Sequence, residues 1–473
     1  MNRDPETLFS HDAYGDALRA AIDALPEFDG PYTGASYDEL ETQISNTDPL
    51  PESGSGLATA CTEAEQVLAD SVDVTDTACI AHLQCPPVAP AIAAEALIAA
   101  TNQSLDSFDQ APAATALEQR MVERLCSVFG FAEGDGVFTS GGTESNLQGL
   151  LLARDVALEA RGIDPRRDGL TGAEDFRILC SEAAHFTATQ AARILGLGES
   201  AVVEVPTDED DRIALNALDE LLDSFETTDE TPIALVATAG TTDFGAIDPL
   251  AALADRTVEH DLWFHIDAAY GGALAFSERH KHKLDGIDRA DSISVDFHKL
   301  LYQPLGCGAF LVKESGSFET LARDVAYLDP EGDGPPNLVA KSLRTSRRFD
   351  ALKPYLTFRA LGSDTIASFA EHTIALAAEA GDIVRTTPDL ELATEPQLTT
   401  VVFRHTGAAN PDELNETIRE RLFDDGTAVL ARTEVDGDVY LKFTLLNPKI
   451  TRRNLETLFQ HVCEAAATPE VVA

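Results

Sequence analysis

The stretch Ser292-Ile293-Ser294-Val295-Asp296-Phe297-His298-Lys299 decides how this chain is read. Its first half is apolar at short range and β-branched, the composition of a strand, and it ends in a charged cluster before Pro304-Leu305-Gly306-Cys307-Gly308. Lysine is rare here: besides Lys299 the chain has only Lys281, Lys283, Lys313, Lys341, Lys353, Lys442 and Lys449, and none in its first 280 residues. A lysine at a strand end beside a histidine is either a surface residue that happens to follow a strand or a desolvated amine. The latter loses its proton readily and condenses with an aldehyde.

Working outward, similar runs recur on both sides. Residues 136–140, 176–180, 201–205, 233–237, 262–266 and 308–312 read as strands, several of them continuous apolar runs of the kind buried on both faces. Helical segments fill most of the gaps, including a helix from Thr143 with Leu147, Leu150 and Leu151 on one face. This alternation predicts an α/β fold with a mostly parallel sheet covered by helices on both sides. Upstream, residues 88–101 and 113–129 are apolar at helical spacing. Residues 1 to about 80 read as acidic helices broken by Pro26, Pro31 and a loop over 49–56. Downstream, one long helix is expected over 355 to about 386. Strands at 401–403, 428–431 and 439–445 follow, with a helix at 411–423, as in a smaller α+β domain. The expected division is an N-terminal helical arm (1–85), a large domain (86–370) and a small C-terminal domain (371–473).

Open α/β sheets bind ligands at the C-terminal ends of their strands, and four more clusters fall at such ends. Thr139-Ser140-Gly141-Gly142-Thr143-Glu144-Ser145-Asn146 joins a strand to a helix. It is neither a Walker loop nor G-x-G-x-x-G, and reads equally as a capped turn or as a phosphate cradle. Trp263-Phe264-His265-Ile266-Asp267-Ala268-Ala269-Tyr270 ends a hydrophobic strand in an aspartate. That carboxylate caps the next turn or, if buried, needs a positive partner such as a pyridinium N–H. His185 stands at another strand-to-helix junction, as a satisfied polar residue or as a stacker on a flat ring. Thr238-Ala239-Gly240-Thr241-Thr242 is a glycine-containing turn after a strand. Together these clusters supply a phosphate cradle, a ring stacker, a carboxylate and a reactive amine, the set that pyridoxal phosphate requires.

Composition removes other classes. With 34 Lys+Arg against 81 Asp+Glu, the formal net charge is -47, and such a field repels nucleic acid and anionic membranes. The carboxylates are scattered along the chain and form a solvated surface suited to a salt-rich cytosol, as in a haloarchaeal or other salt-adapted organism. Seven cysteines without a C-x-x-C pair fit neither a disulfide framework nor a zinc site, and no metal is expected. The N-terminus has no signal-type apolar stretch and no run reaches membrane-spanning length, so a cytoplasmic location is expected.

Over roughly 79–448 the chain resembles the pyridoxal-phosphate-dependent group II amino-acid decarboxylases. The Asp296-Phe297-His298-Lys299 motif with its upstream serines and downstream Pro-x-Gly-x-Gly carries that resemblance. The stretch 99–115 (with Asn102-Gln103-Ser104-Leu105-Asp106), Thr345-Ser346-Arg347-Arg348-Phe349-Asp350 and Phe443-Thr444-Leu445-Leu446-Asn447-Pro448 are similar to the diaminobutyrate and siderophore-type lysine branch in particular. The resemblance implies a pyridoxal phosphate enzyme of fold type I, aspartate-aminotransferase-like. It implies a carboxy-lyase that decarboxylates a basic diamino acid, 2,4-diaminobutyrate before lysine, with glutamate, aspartate or an aromatic amino acid as alternatives. An aminotransferase or sulfur lyase would use the same cofactor parts, and a non-catalytic relative is the remaining class. It implies Lys299 as the cofactor-bound amine, Asp267 as partner of the ring nitrogen, His185 over the ring and Ala269 beneath it. Gly142, Thr143, Ser294 and His298 fall on the phosphate and Thr242 near the ring hydroxyl. His82 falls in the substrate pocket, and Lys442 where relatives often place an arginine facing the substrate carboxylate. A homodimer with sites between subunits is also implied, the arm wrapping the partner. Many relatives carry a proton-donating tyrosine on a loop before the Arg-Arg-Phe stretch. Here 329–342 holds Gly332, Gly334, Pro335 and Pro336 but no tyrosine, while Tyr327 precedes it and Tyr302 follows Lys299.

Overall fold

The computed structural model describes residues 8–321 and 336–467; residues 329–335, half of the tyrosine-free stretch 329–342, and Tyr327 lie outside the described residues. Chain contacts divide the protein into two units. One comprises 83–377 with 394–400, and the other comprises residues up to 82 with 378–393 and those from 401 onward. The described residues up to 82 therefore group with the C-terminal segments by contact.

The larger unit opens with α4 (Ala89–Thr101) and α5 (Pro112–Val128), numbered after the three helices of the N-terminal segment described below. Seven strands follow in sequence: β1 (Asp135–Thr139), β2 (Phe176–Ser181), β3 (Val202–Val205), β4 (Thr231–Thr238), β5 (Trp263–Asp267), β6 (Ser292–Asp296) and β7 (Gly308–Val312). They form one sheet in the order β1-β7-β6-β5-β4-β2-β3. β6, β5, β4, β2 and β3 pair in parallel, and β7 runs antiparallel to both its neighbours. β6 and β7 are buried along their whole length, as continuous apolar runs require when both faces are covered. Covering helices include α6 (Gly142–Ala160), α7 (Thr187–Ile194), α8 (Leu215–Phe225) and α9 (Leu250–Glu259). Leu150, Ala153 and Leu158 of α6 and Ala188, Ala191 and Ala192 of α7 pack on Ile178, Cys180 and Val236 of the sheet in one apolar cluster. The long helix expected at 355–386 is two, α10 (Leu352–Leu361) and α11 (Ser363–Thr386), parted at Gly362 with φ +80°.

Strand register positions the site. Thr238 of β4 pairs with Asp267 of β5, Asp267 with Ser294 of β6, and Asp296 with Gly308 of β7, which also pairs with Thr139 of β1. Terminal residues of five neighbouring strands, β4, β5, β6, β7 and β1, thus share one edge of the sheet.

The smaller unit holds α1 (His11–Asp23), α2 (Tyr37–Ser45) and α3 (Leu57–Ala69), none with a buried residue. It also contains β8 (Leu390–Leu392), β9 (Thr400–His405, whose first residue falls in the larger unit), α12 (Pro411–Asp424), β10 (Ala431–Val435), β11 (Asp438–Thr444) and α13 (Arg452–Ala467). Its four strands lie in the order β10-β11-β9-β8. Phe403, Phe443 and Phe459 pack edge-on or tilted with centroids 4.9–5.1 Å apart at its core. The N-terminal segment joins this core through Ile80, whose N–H donates to the Val429 carbonyl (2.8 Å) and whose carbonyl accepts from Thr444 (2.7 Å). Tyr32 stacks on Phe423 at 4.5 Å. The strand expected at 428–431 begins instead at Ala431, since the edge strand runs on through residues that alternate with solvent.

Candidate active site

A cavity of about 270 Å³ opens at that sheet edge, lined by the ends of β4, β5 and β6 and by the turn from β1 into α6. The turn lies close against β6 because Gly141 has φ +147°; a Cβ there would come within 2.7 Å of His298 Cε1 and 3.4 Å of Asp296 Oδ1. Gly142 faces Ala269, where a Cβ would sit 3.2 Å from the alanine methyl.

Lys299 follows β6 by one turn. Its Nζ is 3.4 Å from Asp296 Oδ2, and His298 Nε2 is 3.5 Å from the same oxygen. Burial raises the Asp296 carboxyl above its ordinary range, against the pull of Lys299 and His298. Asp267 is held from several sides. Its Oδ1 accepts from the Ala269 N–H (3.0 Å) and the Ser294 hydroxyl (3.1 Å), and its Oδ2 from Asn146 Nδ2 (2.7 Å). Desolvation by itself raises this carboxyl, but the Lys299 charge and the donors on Ala269 and Asn146 outweigh it and leave Asp267 below the usual carboxylate range. It remains a buried anion. His185, half-buried in the junction from β2 to α7, has its basicity lowered by desolvation, in part offset by the charge of Asp267.

Of the residues expected from sequence, Gly142, Thr143, His185, Thr242, Asp267, Ala269, His298 and Lys299 all line this cavity. Ser294 is placed otherwise. Expected on the phosphate, it is fully buried within β6, does not line the cavity and spends its hydroxyl proton on Asp267. His82 and Lys442 lie in the smaller unit, near enough to each other that the lysine charge, after burial, helps to lower the histidine's basicity. The sequence reading passed over Asn146, although it stands in the Gly141-Gly142 cluster, and over Thr238 and Asp296 as cavity residues. The position of Asn146 one turn into α6, facing the end of β5, is a tertiary fact with no local signature.

A family model described as "Pyridoxal-dependent decarboxylase conserved domain" matches residues 43–406. The chain belongs to the pyridoxal-dependent decarboxylases. This decarboxylase is 42% identical over 458 residues to the L-2,4-diaminobutyrate decarboxylase of Rhizobium meliloti (strain 1021), covering 95% of this chain and 90% of that one. It is 38% identical over 480 residues to the L-2,4-diaminobutyrate decarboxylase of Acinetobacter baumannii, covering 98% and 94%. Among solved structures it superposes with a TM-score of 0.87 and 40% identity on the glutamate decarboxylase domain of diaminobutyrate-pyruvate transaminase and L-2,4-diaminobutyrate decarboxylase from Vibrio parahaemolyticus, covering 98% and 97%.

Pyridoxal phosphate is therefore the decarboxylase's cofactor, and the cavity fits it. Thr238 Oγ1 and Asp296 Oδ1 are buried at its wall with no hydrogen-bond partner, as groups that await a polar ligand would be. Gly141 and Gly142 clear the space that a side chain would fill. Asp267 is a buried carboxylate with no ion-pair contact among the described residues, a site for a cationic ring N–H.

Proposed function

We propose that this decarboxylase releases carbon dioxide from a basic L-amino acid, 2,4-diaminobutyrate ahead of lysine, leaving the corresponding amine. The observation that carries this reading is the nearly end-to-end likeness to two L-2,4-diaminobutyrate decarboxylases, 90% and 94% of whose lengths are covered. Glutamate, aspartate and aromatic amino acids are the other substrate classes of an assay panel.

In this reading Lys299 would hold the cofactor through its amine. Gly142, Thr143 and His298 would hold the phosphate, and Thr242 would serve the ring hydroxyl. Ala269 and His185 would pack against the ring. Asp267 would stay ionised, because three donors favour its anion, and would keep the ring nitrogen protonated. When bound, the cofactor serves as sink for the electron pair freed as the carboxylate leaves. His82 and Lys442 are proposed as substrate contacts. The low basicity of His82 beside Lys442 suits a hydrogen-bonding rather than an ionic role.

We further propose a homodimer in the cytoplasm of a salt-adapted cell. Exposed Phe9, Ile22, Leu25, Tyr37 and Leu50 support the homodimer: they leave apolar surface on an N-terminal segment that buries none of its helical residues, which fits an arm lying on a partner subunit. The net charge of -47 supports the salt adaptation. The test is an amino-acid panel at molar salt, reading carbon dioxide and amine. At least tenfold higher kcat/KM for 2,4-diaminobutyrate than for every other member is expected. Preference for an acidic or aromatic acid would overturn the substrate, and keto-acid formation without carbon dioxide would overturn the reaction.

A further inference from the structure

Behind Asp267 a file of buried polar side chains runs through the sheet. Trp263, the chain's one tryptophan, donates from Nε1 to Ser292 Oγ at 2.9 Å. Ser292 Oγ lies 2.8 Å from His265 Nδ1, and His265 Nε2 lies 3.0 Å from Asn146 Oδ1. Asn146 Nδ2 reaches both Asp267 Oδ2 (2.7 Å) and Thr187 Oγ1 (3.0 Å), and Thr187 Oγ1 is 3.1 Å from His185 Nδ1. Asn146, Thr187, His265 and Ser292 are all buried, His265 completely. Gly149 on α6 makes room for the imidazole: a Cβ there would be 2.6 Å from His265 Nδ1.

Donor and acceptor chemistry fixes the protons along this file from the Asp267 end, and the Trp263 end is compatible with the result. Indole N–H can only donate, so Ser292 accepts from it and keeps its own hydrogen available for His265 Nδ1. From the other end, an ionised carboxylate can only accept, so the amide of Asn146 turns Nδ2 toward Asp267 and Oδ1 toward His265. The Asn146 end demands one tautomer of His265, neutral with its hydrogen on Nε2, and the Ser292 hydroxyl can serve it by donating to the bare Nδ1. Desolvation agrees, lowering this histidine's pKa to about 4. The second hydrogen of Asn146 Nδ2 goes to Thr187, whose hydroxyl hydrogen is then left for His185 Nδ1.

We propose that this buried file is a positioning device for His185: through Asn146 and Thr187 it makes Nδ1 of His185 an acceptor and leaves its hydrogen on Nε2. Asn146 is the node, since one amide group both steadies the Asp267 anion and sets the histidine. The ring at the cavity wall then presents a hydrogen-bond donor at Nε2 in its neutral form, without a full imidazolium charge. What that donor serves rests on the cofactor reading above; the tautomer itself does not.

The test uses the ligand-free protein carrying ¹⁵N-labelled histidine, with His185→Gln and His265→Gln identifying two of the eleven histidine signals. Long-range proton–nitrogen correlations at mildly alkaline pH are expected to show protonated Nε2 and bare Nδ1 for both. Thr187→Val, close in shape but without a hydroxyl, is expected to lose that preference at His185 while leaving His265 unchanged, and Thr187→Ser is expected to restore it. A wild-type His185 protonated on Nδ1, or a Thr187→Val signal identical to wild type, would overturn the proposal; the wild-type reading needs no variant to fold. A separate addition of pyridoxal phosphate checks the cofactor reading. Absence of a visible band there would sink that reading and leave the tautomer result standing.

Discussion

Replacing Glu118 by Gln removes one half of a fully buried ion pair beside the strand that leads into the Gly141-Gly142 turn. Glu118 Oε1 meets Arg347 Nη1 at 2.6 Å with both side chains 1% exposed, and also accepts from the Phe138 N–H at 3.2 Å. Arg347 in turn donates to the carbonyls of Phe138 (3.3 Å) and Leu105 (3.2 Å), so the pair ties α5 and the segment at 347 to β1. Glutamine keeps the shape and strands the guanidinium charge, which for a buried pair costs ~3–5 kcal/mol. Because Glu118 Oε2 and Arg347 Nε are already without partners, the lower end of that range is the expectation. Arg347→Met strands the carboxylate at a similar cost. The double variant Glu118→Leu/Arg347→Met buries no charge; it loses the acceptor for the Phe138 N–H and the donors to the Phe138 and Leu105 carbonyls, and should cost less than the two singles together. Urea unfolding followed by Trp263 emission, at fixed salt, measures all three. Single variants costing under about 1 kcal/mol, or a double variant equal to the sum of the singles, would refute the reasoning.

Three further outcomes follow from the same structure. Gly149→Ala should cost about 1–3 kcal/mol, because its methyl enters the space of His265 and neither helix nor imidazole can yield; calorimetry that finds it neutral or stabilising would contradict this. His265 is neutral in the folded protein down to about pH 4 but takes up a proton near pH 6.5 when unfolded, so its share of stability is present above 6.5 and is lost as pH falls toward 4. The slope of unfolding free energy over that window should therefore shrink in His265→Gln by up to about 1.4 kcal/mol per pH unit, one proton's worth. Ser294→Ala should weaken retention of pyridoxal phosphate by loosening Asp267 rather than by removing a phosphate contact. Dialysis against excess inorganic phosphate should thus displace cofactor from the variant and wild type in the same proportion, and a disproportionate effect would place Ser294 on the phosphate after all.

The large sheet was legible because parallel strands buried on both faces must be apolar throughout, and a continuous run such as Gly308–Val312 looks the same in sequence as in space. Strand β10 was not, since Arg432 and Glu434 alternate with less exposed neighbours at a sheet edge and dilute the apolar signal. Gly362 ended a helix that periodicity alone would carry through, by adopting a positive φ that its flanking residues would resist. At the site, residues that follow strand ends, such as Asp267 and Lys299, were found because the fold class fixes where ligands bind. Asn146, Thr187 and His265 were invisible because their meaning lies in contacts across 41, 119 and 121 residues of chain. The partner of Ser294 is equally invisible in sequence: strand register, not proximity to His298 along the chain, sends its hydroxyl to Asp267.

Borohydride reduction of the cofactor-loaded enzyme, followed by peptide mass mapping, tests the central assignment most directly. The account predicts a reduced pyridoxyl phosphate adduct on the peptide containing Lys299 and on no other lysine, with no adduct in Lys299→Ala. An adduct at Lys353, Lys313 or any other amine, or none at all in a protein that still releases carbon dioxide, would contradict it.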